Sequence, residues 1–304
     1  MGLHCSATTV ATVKKTLTAF LQPYLQLMRL DRPVGTLLLL WPTLAALWLA
    51  ADGPPPWYLV VVFTVGTFVM RSAGCVINDF ADRRWDRHVV RTAQRPLTTG
   101  RISARQALSL FAGLSLLAAL LLVFLNPLAR LLALGGFGIA VLYPFLKRWT
   151  YLPQVGLGAA FSWGLIMAYA SVQNQVPAQA WLLFIASVLW IVAYDTLYAM
   201  VDRDDDVQVG IKSTAILFGN ADRFMVGLLQ ASMLVTLLLL GQQLNLGNFY
   251  YLGLAGCLGL FVYQHRLIRQ RERDGCFKAF RNNIWVGFSL FAGVVLDTSF
   301  RAWF

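Results

Sequence analysis

Nine stretches of this chain are long and apolar enough to cross a lipid bilayer, and that repetition constrains the fold more than any other feature. Spanning a hydrocarbon core takes about 20 predominantly apolar residues. The runs at 34–51, 57–78, 106–125, 127–145, 154–172, 180–201, 224–242, 248–264 and 284–299 meet that measure. No water is present in the hydrocarbon to satisfy backbone groups, so runs of this kind must be helices. The pattern predicts an all-α membrane protein, a bundle of about nine transmembrane helices. Pro54-Pro55-Pro56 marks the first hairpin and Asn126-Pro127 the turn between the third and fourth spans. Pro42 and Gly135-Gly136 fall inside spans, where neighbouring helices satisfy disturbed backbone groups and small residues permit close packing.

Residues 1–33 precede the transmembrane domain at 34–304. In them Val13, Leu17, Phe20, Leu21, Tyr24, Leu25 and Met28 recur at helical spacing, which predicts an amphipathic helix in the membrane interface, with Pro23 as a point where it can break. Met1-Gly2-Leu3-His4-Cys5-Ser6 fits a loose myristoylation pattern, but one acyl chain adds little to a polytopic protein. The formal charge of +11 would suggest nucleic acid in a soluble chain. When successive loops are placed on alternate sides, nearly all Lys and Arg residues fall on one of them. Only Arg130 and Arg301 lie opposite, and Arg71 lies inside the second span. The positive-inside rule makes the crowded side cytoplasmic, and orientation then accounts for the charge without a nucleic-acid partner. Cys5, Cys75, Cys257 and Cys276 show no metal-site spacing, and His4, His88 and His265 are far apart.

Two bursts of carboxylates interrupt this apolar pattern, at the cytoplasmic ends of the second and sixth spans. The first runs from Gly74 to Arg87. If the helix continues through it, Asn78, Asp82 and Asp86 share one face at i, i+4, i+8. In the second, from Tyr194 to Asp206, Asp195, Asp202 and Asp206 share a face at i, i+7, i+11. Stacked carboxylates repel unless a divalent cation lies between them, and hard oxygen ligands favour Mg2+ together with substrate phosphates. Asp79, Asp204 and Asp205 are off these faces, where outer-layer or solvated positions are expected. The bland alternative is an acidic loop balanced by neighbouring arginines. Charges at membrane depth are costly and usually functional. Arg71 precedes Asn78 by seven residues and Asp195 precedes Asp202 by seven, which describes a polar pocket beneath the two walls. A structural pairing of Arg71 with Asp195 is the competing reading. Tyr198, one turn from Asp195, is placed to hydrogen-bond a substrate. Opposed Mg2+-binding carboxylates with nearby basic residues suit a diphosphate, and an apolar groove suits a hydrocarbon attached to it.

These strings closely resemble the UbiA superfamily of intramembrane prenyltransferases, and within it the members that prenylate 4-hydroxybenzoate for ubiquinone. The match is carried by Asp31-Arg32-Pro33-Val34-Gly35 with Leu40-Trp41-Pro42-Thr43, by Gly74 to Asp86, and by Arg91-Thr92-Ala93-Gln94-Arg95-Pro96-Leu97. It continues through Tyr143-Pro144-Phe145, Lys147-Arg148, Pro153-Gln154-Val155, Tyr194 to Asp206 and Gly210-Ile211-Lys212-Ser213-Thr214-Ala215. The family pattern Asn-x-x-x-Asp-x-x-x-Asp falls on Asn78, Asp82 and Asp86, and its second Asp-x-x-x-Asp on Asp202 and Asp206. The resemblance implies helices around a central cavity that opens sideways to lipid. It also implies two Mg2+ ions holding a polyprenyl diphosphate, with Arg32, Arg148 and Lys212 or a subset assisting. Ionisation would give an allylic cation, attacked by the ring carbon ortho to the hydroxyl of 4-hydroxybenzoate. Asp82, Asp202 and Asp195 are then the candidate catalytic carboxylates. Asp195 is expected to accept the phenol proton or orient the hydroxyl, and Arg71 or Arg148 to hold the benzoate carboxylate. A bacterial inner membrane with a cytoplasm-facing site is the expected location. A UbiA-type enzyme with another aromatic acceptor, or a membrane transporter using Asp195 and Arg71 on an ion path, are the rival readings.

Overall fold

The computed structural model describes residues 20–301. The first part of the interfacial segment, with Val13, Leu17 and the Met1-Gly2 pattern, lies outside the described residues. Residues 20–27 form a helix, α1, that continues through Pro23. Its Leu27 is fully buried against Val76, Ile102 and Ala107, while Phe20, Leu21 and Leu25 are exposed.

Ten further α-helices follow: α2 (Val34–Ala51), α3 (Trp57–Asp82), α4 (Ala104–Leu121), α5 (Pro127–Leu146), α6 (Pro153–Gln173), α7 (Ala178–Val209), α8 (Thr214–Phe218), α9 (Asp222–Gln243), α10 (Asn248–Leu267) and α11 (Arg273–Arg301). Their starts follow from local chemistry. Ser103 and Gln106 form a reciprocal capping box at α4. Asn126 accepts the Ala129 N–H ahead of Pro127 at α5, the position where a missing N–H costs nothing. The second and sixth spans run past their apolar limits, to Asp82 and Val209, so both acidic strings begin on helix rather than loop. Gly210 stops α7 in the left-handed conformation at φ 72°.

α2, α6, α7 and α11 pack on one another as the inner set, with α3, α4 and α5 along one side and α9 and α10 along the other. Trp190, Tyr194 and Tyr169 are fully buried at their centre. α4 buries only Ala107 and α5 only Ala129 and Pro144, as expected of helices facing lipid. Among the described residues, eight helical segments satisfy the length and apolarity of a span. The ninth expected one, α10, has the length but carries Asn248, Gln264, His265 and Arg266. The protein satisfies the polarity of Gln264 and His265 internally, while Asn248 and Arg266 at the two ends of the helix are exposed. Gln230 Nε2 donates to Gln264 Oε1 (2.9 Å), and Gln264 Nε2 donates to Asn282 Oδ1 (3.0 Å). Such a chain links α9, α10 and α11, each bond adding about 0.6 kcal/mol in a membrane interior.

At the opposite end of α10, Asp297 of α11 is buried and accepts the Gly247 N–H at 2.9 Å, capping a helix to which it does not belong. Asp297→Ala leaves that donor in an apolar setting and is expected to destabilise by about 1–3 kcal/mol. Thermal unfolding in detergent checks this. The midpoint should fall while turnover at low temperature stays near wild type, because Asp297 is remote from both acidic strings.

Candidate active site

α3 carries Asn78, Asp79 and Asp82 to its C-terminal end, with Asn78 Nδ2 donating to Asp82 Oδ2 at 3.2 Å. The helix ends there. Asp86 opens a short 3-10 helix, Asp86–His88, so its alignment with Asn78 and Asp82 comes from a turn rather than from continued α-helix. Asp79 is 1% exposed, not solvated, and two guanidiniums bracket it: Arg29 of the α1–α2 connection at 2.8 Å and Arg95 at 2.9 Å. Arg95 also reaches Asp86 at 2.8 Å. Burial pushes the Asp86 carboxyl up to about 6 against the pull of Arg95. Burial also disfavours the charged form of Arg95, but Asp79 and Asp86 outweigh it and raise its pKa.

On α7, Asp202 is buried and gripped side-on by Arg91, whose Nε and Nη2 donate to it at 3.0 and 2.5 Å. Tyr198, a turn before Asp202, lies under the Arg91 guanidinium at 4.5 Å. Lys147 of the α5 end donates to Asp82. Asn78, Asp82 and Asp86 of the first string and Asp195, Asp202 and Asp206 of the second line one polar cavity of about 1070 Å3. Arg32, Arg71, Tyr198 and Lys212 line it too. Lys212 is brought there by the loop after α7, where its N–H donates to the Lys147 carbonyl at 3.3 Å.

Arg148 does not line this cavity. Its Nη2 donates to the Ala81 carbonyl at 2.9 Å, and its guanidinium stacks between Trp85 at 4.7 Å and Phe145 at 4.9 Å. The expectation that it touches substrate gives way to a clamp on the last turn of α3, one residue before Asp82. Arg148→Met is therefore expected to raise the Mg2+ concentration for half-maximal activity about tenfold, the usual scale for residues that orient ligands. A Mg2+ titration of activity checks this.

A second, apolar cavity of about 360 Å3 lies between α3, α4, α5 and α6, with Phe63, Ala118, Phe137 and Met167 in its walls. The two cavities share Arg71, Tyr143 and Phe161. Arg71 is not consumed by Asp195: its Nη1 donates to Cys75 Sγ at 2.5 Å, and its Nε is buried without a partner. Sequence reasoning placed Arg91, Arg95 and Lys147 in the strings that carry the family resemblance but gave them no role, and it did not single out the buried Asp222. That carboxylate holds Arg203 of α7 at 2.5 Å and Arg271 at 2.9 Å, fastening the end of α7 to α9 and the α10–α11 turn. The spacing of Arg91 and Arg95, four residues apart in a helix-like turn, was the available signal.

The donor set suits Mg2+. It consists of carboxylate and amide oxygens, and Asp82 Oδ1 is buried without a hydrogen-bond partner. Among the described residues no three acidic, His or Cys groups converge tightly enough to hold an ion unaided.

The chain is 59% identical over 283 residues to the 4-hydroxybenzoate octaprenyltransferase of Marinobacter nauticus, covering 93% of this chain and 96% of that one. It is 57% identical over 281 residues to the enzyme of the same name from Aliivibrio fischeri, covering 92% and 98%. In fold it is similar to a UbiA homologue from Aeropyrum pernix, at a TM-score of 0.77 and 24% identity over 86% of this chain and 97% of that one. A UbiA homologue from Archaeoglobus fulgidus, solved with GPP and Mg2+, superposes at a TM-score of 0.64 and 18% identity over 88% and 99%. The profile of the UbiA prenyltransferase family matches residues 39–288, a span that includes both acidic strings and the helices that bring them to one cavity, and the chain belongs to that family.

Proposed function

We propose that this protein transfers a polyprenyl group from polyprenyl diphosphate to the ring carbon ortho to the hydroxyl of 4-hydroxybenzoate, for ubiquinone biosynthesis. The reaction is Mg2+-dependent and takes place at the cytoplasmic face of a bacterial inner membrane. The observation that carries the reading is the junction of a polar, carboxylate-walled cavity with an apolar one at Arg71, Tyr143 and Phe161. A prenyl diphosphate has the same division, a charged head joined to a hydrocarbon, and the scissile carbon lies at the boundary.

Asn78, Asp82, Asp86, Asp202 and Asp206 would hold Mg2+, which when bound neutralises the diphosphate and favours its departure. Arg91, Arg95 and Lys147 bring three cationic heads to the same walls, with Lys212 and Arg32 at the rim. Carbon–oxygen cleavage releases diphosphate into that basic field and leaves an allylic cation at the apolar boundary. Attack by the ring carbon forms the new carbon–carbon bond, and loss of its proton restores aromaticity. Asp195 lines the polar cavity two turns deeper than Asp202, where it orients the phenol hydroxyl or takes its proton. Arg71 takes the benzoate carboxylate. Phe161, with its ring centre 5.6 Å from the Arg71 guanidinium, supplies an apolar wall beside it.

Membranes containing the protein, given labelled polyprenyl diphosphate, Mg2+ and 4-hydroxybenzoate and then extracted, test the reading. A prenylated acid that needs all three components is the expected result. Transfer only to a different aromatic compound would replace the acceptor, and no transfer to any acceptor would return the site to the transport reading.

A further inference from the structure

α7 outruns its apolar packing. Asp202 is its last buried residue, and Val207 beyond it is exposed. The turn that carries Asp206 therefore takes its orientation from polar contacts rather than from the core. A helix turns about 100° per residue, so Arg203 and Asp205 project about 80° to either side of the line through Asp202 and Asp206. Asp204 then points away from the cavity, in keeping with its 80% exposure. Each flank is tied down. Asp205 meets Arg273 at 3.1 Å, a pair of little strength because the guanidinium is half exposed. Arg203 reaches Asp222, the first residue of α9, at 2.5 Å, and that carboxylate is fully buried. Arg271 at 2.9 Å and the Arg223 N–H at 2.6 Å hold Asp222 in turn. A helix with its side chains is about 10–12 Å across, so turning the end of α7 by about 20° would carry the Asp202 and Asp206 carboxylates about 2 Å sideways. That is the full length of a Mg–oxygen bond.

We propose that Asp222 is a positioning residue for the second acidic string: through Arg203 it fixes the rotation of the last turns of α7, so that Asp202 and Asp206 both face the cavity. The inference rests on the reading that those two carboxylates hold Mg2+. Asp222 touches neither metal nor substrate and does not line the polar cavity; it acts through one guanidinium. A carboxylate that merely fastens helices together would move stability and leave metal affinity alone.

The protein in detergent is titrated with Mg2+ in the presence of geranyl diphosphate and without acceptor, and the rise in thermal midpoint reads metal binding apart from turnover. Asp222→Asn and Arg203→Met are each expected to raise the Mg2+ concentration for half of that rise about tenfold or more. Should Asp222→Asn not fold, Arg203→Met carries the test, because Asp222 then keeps Arg271 and the Arg223 N–H. The pair separates geometry from charge. Removing a carboxylate near the site weakens attraction for a cation and removing a guanidinium strengthens it, so charge alone would move the two variants in opposite directions. Opposite shifts therefore overturn the proposal. The double variant should match the more affected single one, because both remove one contact, and additive losses overturn the claim that Asp222 acts through Arg203. Asp297→Ala is the control for stability alone: its metal-free midpoint should fall while its Mg2+ dependence stays within about twofold of wild type. An equal loss of Mg2+ affinity there overturns the proposal too. If Asp202→Asn weakens Mg2+ binding and neither Asp222→Asn nor Arg203→Met does, the role of Asp222 is overturned and the metal reading stands. If Asp202→Asn binds Mg2+ as wild type does, the underlying metal reading is overturned.

Discussion

Asp82→Asn and Asp202→Asn are each expected to lower Mg2+-dependent turnover by about a thousandfold, the scale on which loss of one preorganised charge-stabilising group is felt. Asparagine keeps the shape and one oxygen of aspartate but removes the negative charge that draws a divalent cation. Each variant also loosens a basic residue. Lys147 loses its carboxylate in the first, and Arg91 its side-on partner in the second. A cation freed in this way strengthens local positive charge where the diphosphate must sit, so a surviving enzyme would bind diphosphate well and ionise it poorly. Turnover and diphosphate affinity should therefore part company. Asp204→Asn is the control on the same helix as Asp202, since its side chain is 80% exposed and its ion-pair partner among the described residues, Arg273, is 3.8 Å away. It should stay within about twofold of wild type, as exposed ion pairs contribute little. Near-normal turnover in Asp82→Asn or Asp202→Asn, measured on protein with an unchanged thermal midpoint, would remove these residues from the metal site. An equal loss in Asp204→Asn would make the effect one of general charge.

What a sequence states well is what repeats locally. Among the described residues the apolar runs located every long helix because apolar length is written locally in the chain, and Asn126-Pro127 marked a turn by chemistry confined to a few residues. The i, i+7, i+11 spacing of Asp195, Asp202 and Asp206 held because α7 stays helical to Val209. The first string departed from the same logic at Arg83, where the chain leaves the helix before Asp86, a boundary that no capping residue announces. The ion pairs were not legible. Arg91 and Asp202 are separated by 111 residues, and only the bundle brings them together. Asp79 is on the back of the α3 face, which reads as solvent until Arg29 and the turn containing Arg95 close over it. Arg148 shows the same limit from the other side. Its neighbour Lys147 faces the acidic wall, and a single step along the end of α5 turns Arg148 onto the Ala81 carbonyl and the Trp85 ring instead.

Arg71→Leu is expected to raise the KM for 4-hydroxybenzoate about a hundredfold, or ~3 kcal/mol, the range for truncating one member of a buried, hydrogen-bonded charge pair. The diphosphate KM should change by less than about threefold, because the cations that face the diphosphate walls are other residues. The separation follows from depth. Arg71 is two turns below Asn78 on α3, at the mouth of the apolar cavity, whereas Arg91, Arg95 and Lys147 stand at the level of the acidic strings. Leucine fills much of the same volume without bringing a polar group into the membrane interior, and the thermal midpoint measured beside the kinetics reads any cost of taking one charge from among its buried neighbours. A loss confined to the acid is thus a loss of recognition rather than of fold. The charge-neutral amide of the same acceptor sharpens the measurement. Wild-type protein should prefer the acid strongly, and Arg71→Leu should lose that preference, because specificity is a difference between two affinities and only one of them involves the guanidinium. Equal rises in both KM values, together with a lowered thermal midpoint, would instead make Arg71 a structural partner of the groups around it and leave the carboxylate of the acceptor without a receptor in this cavity.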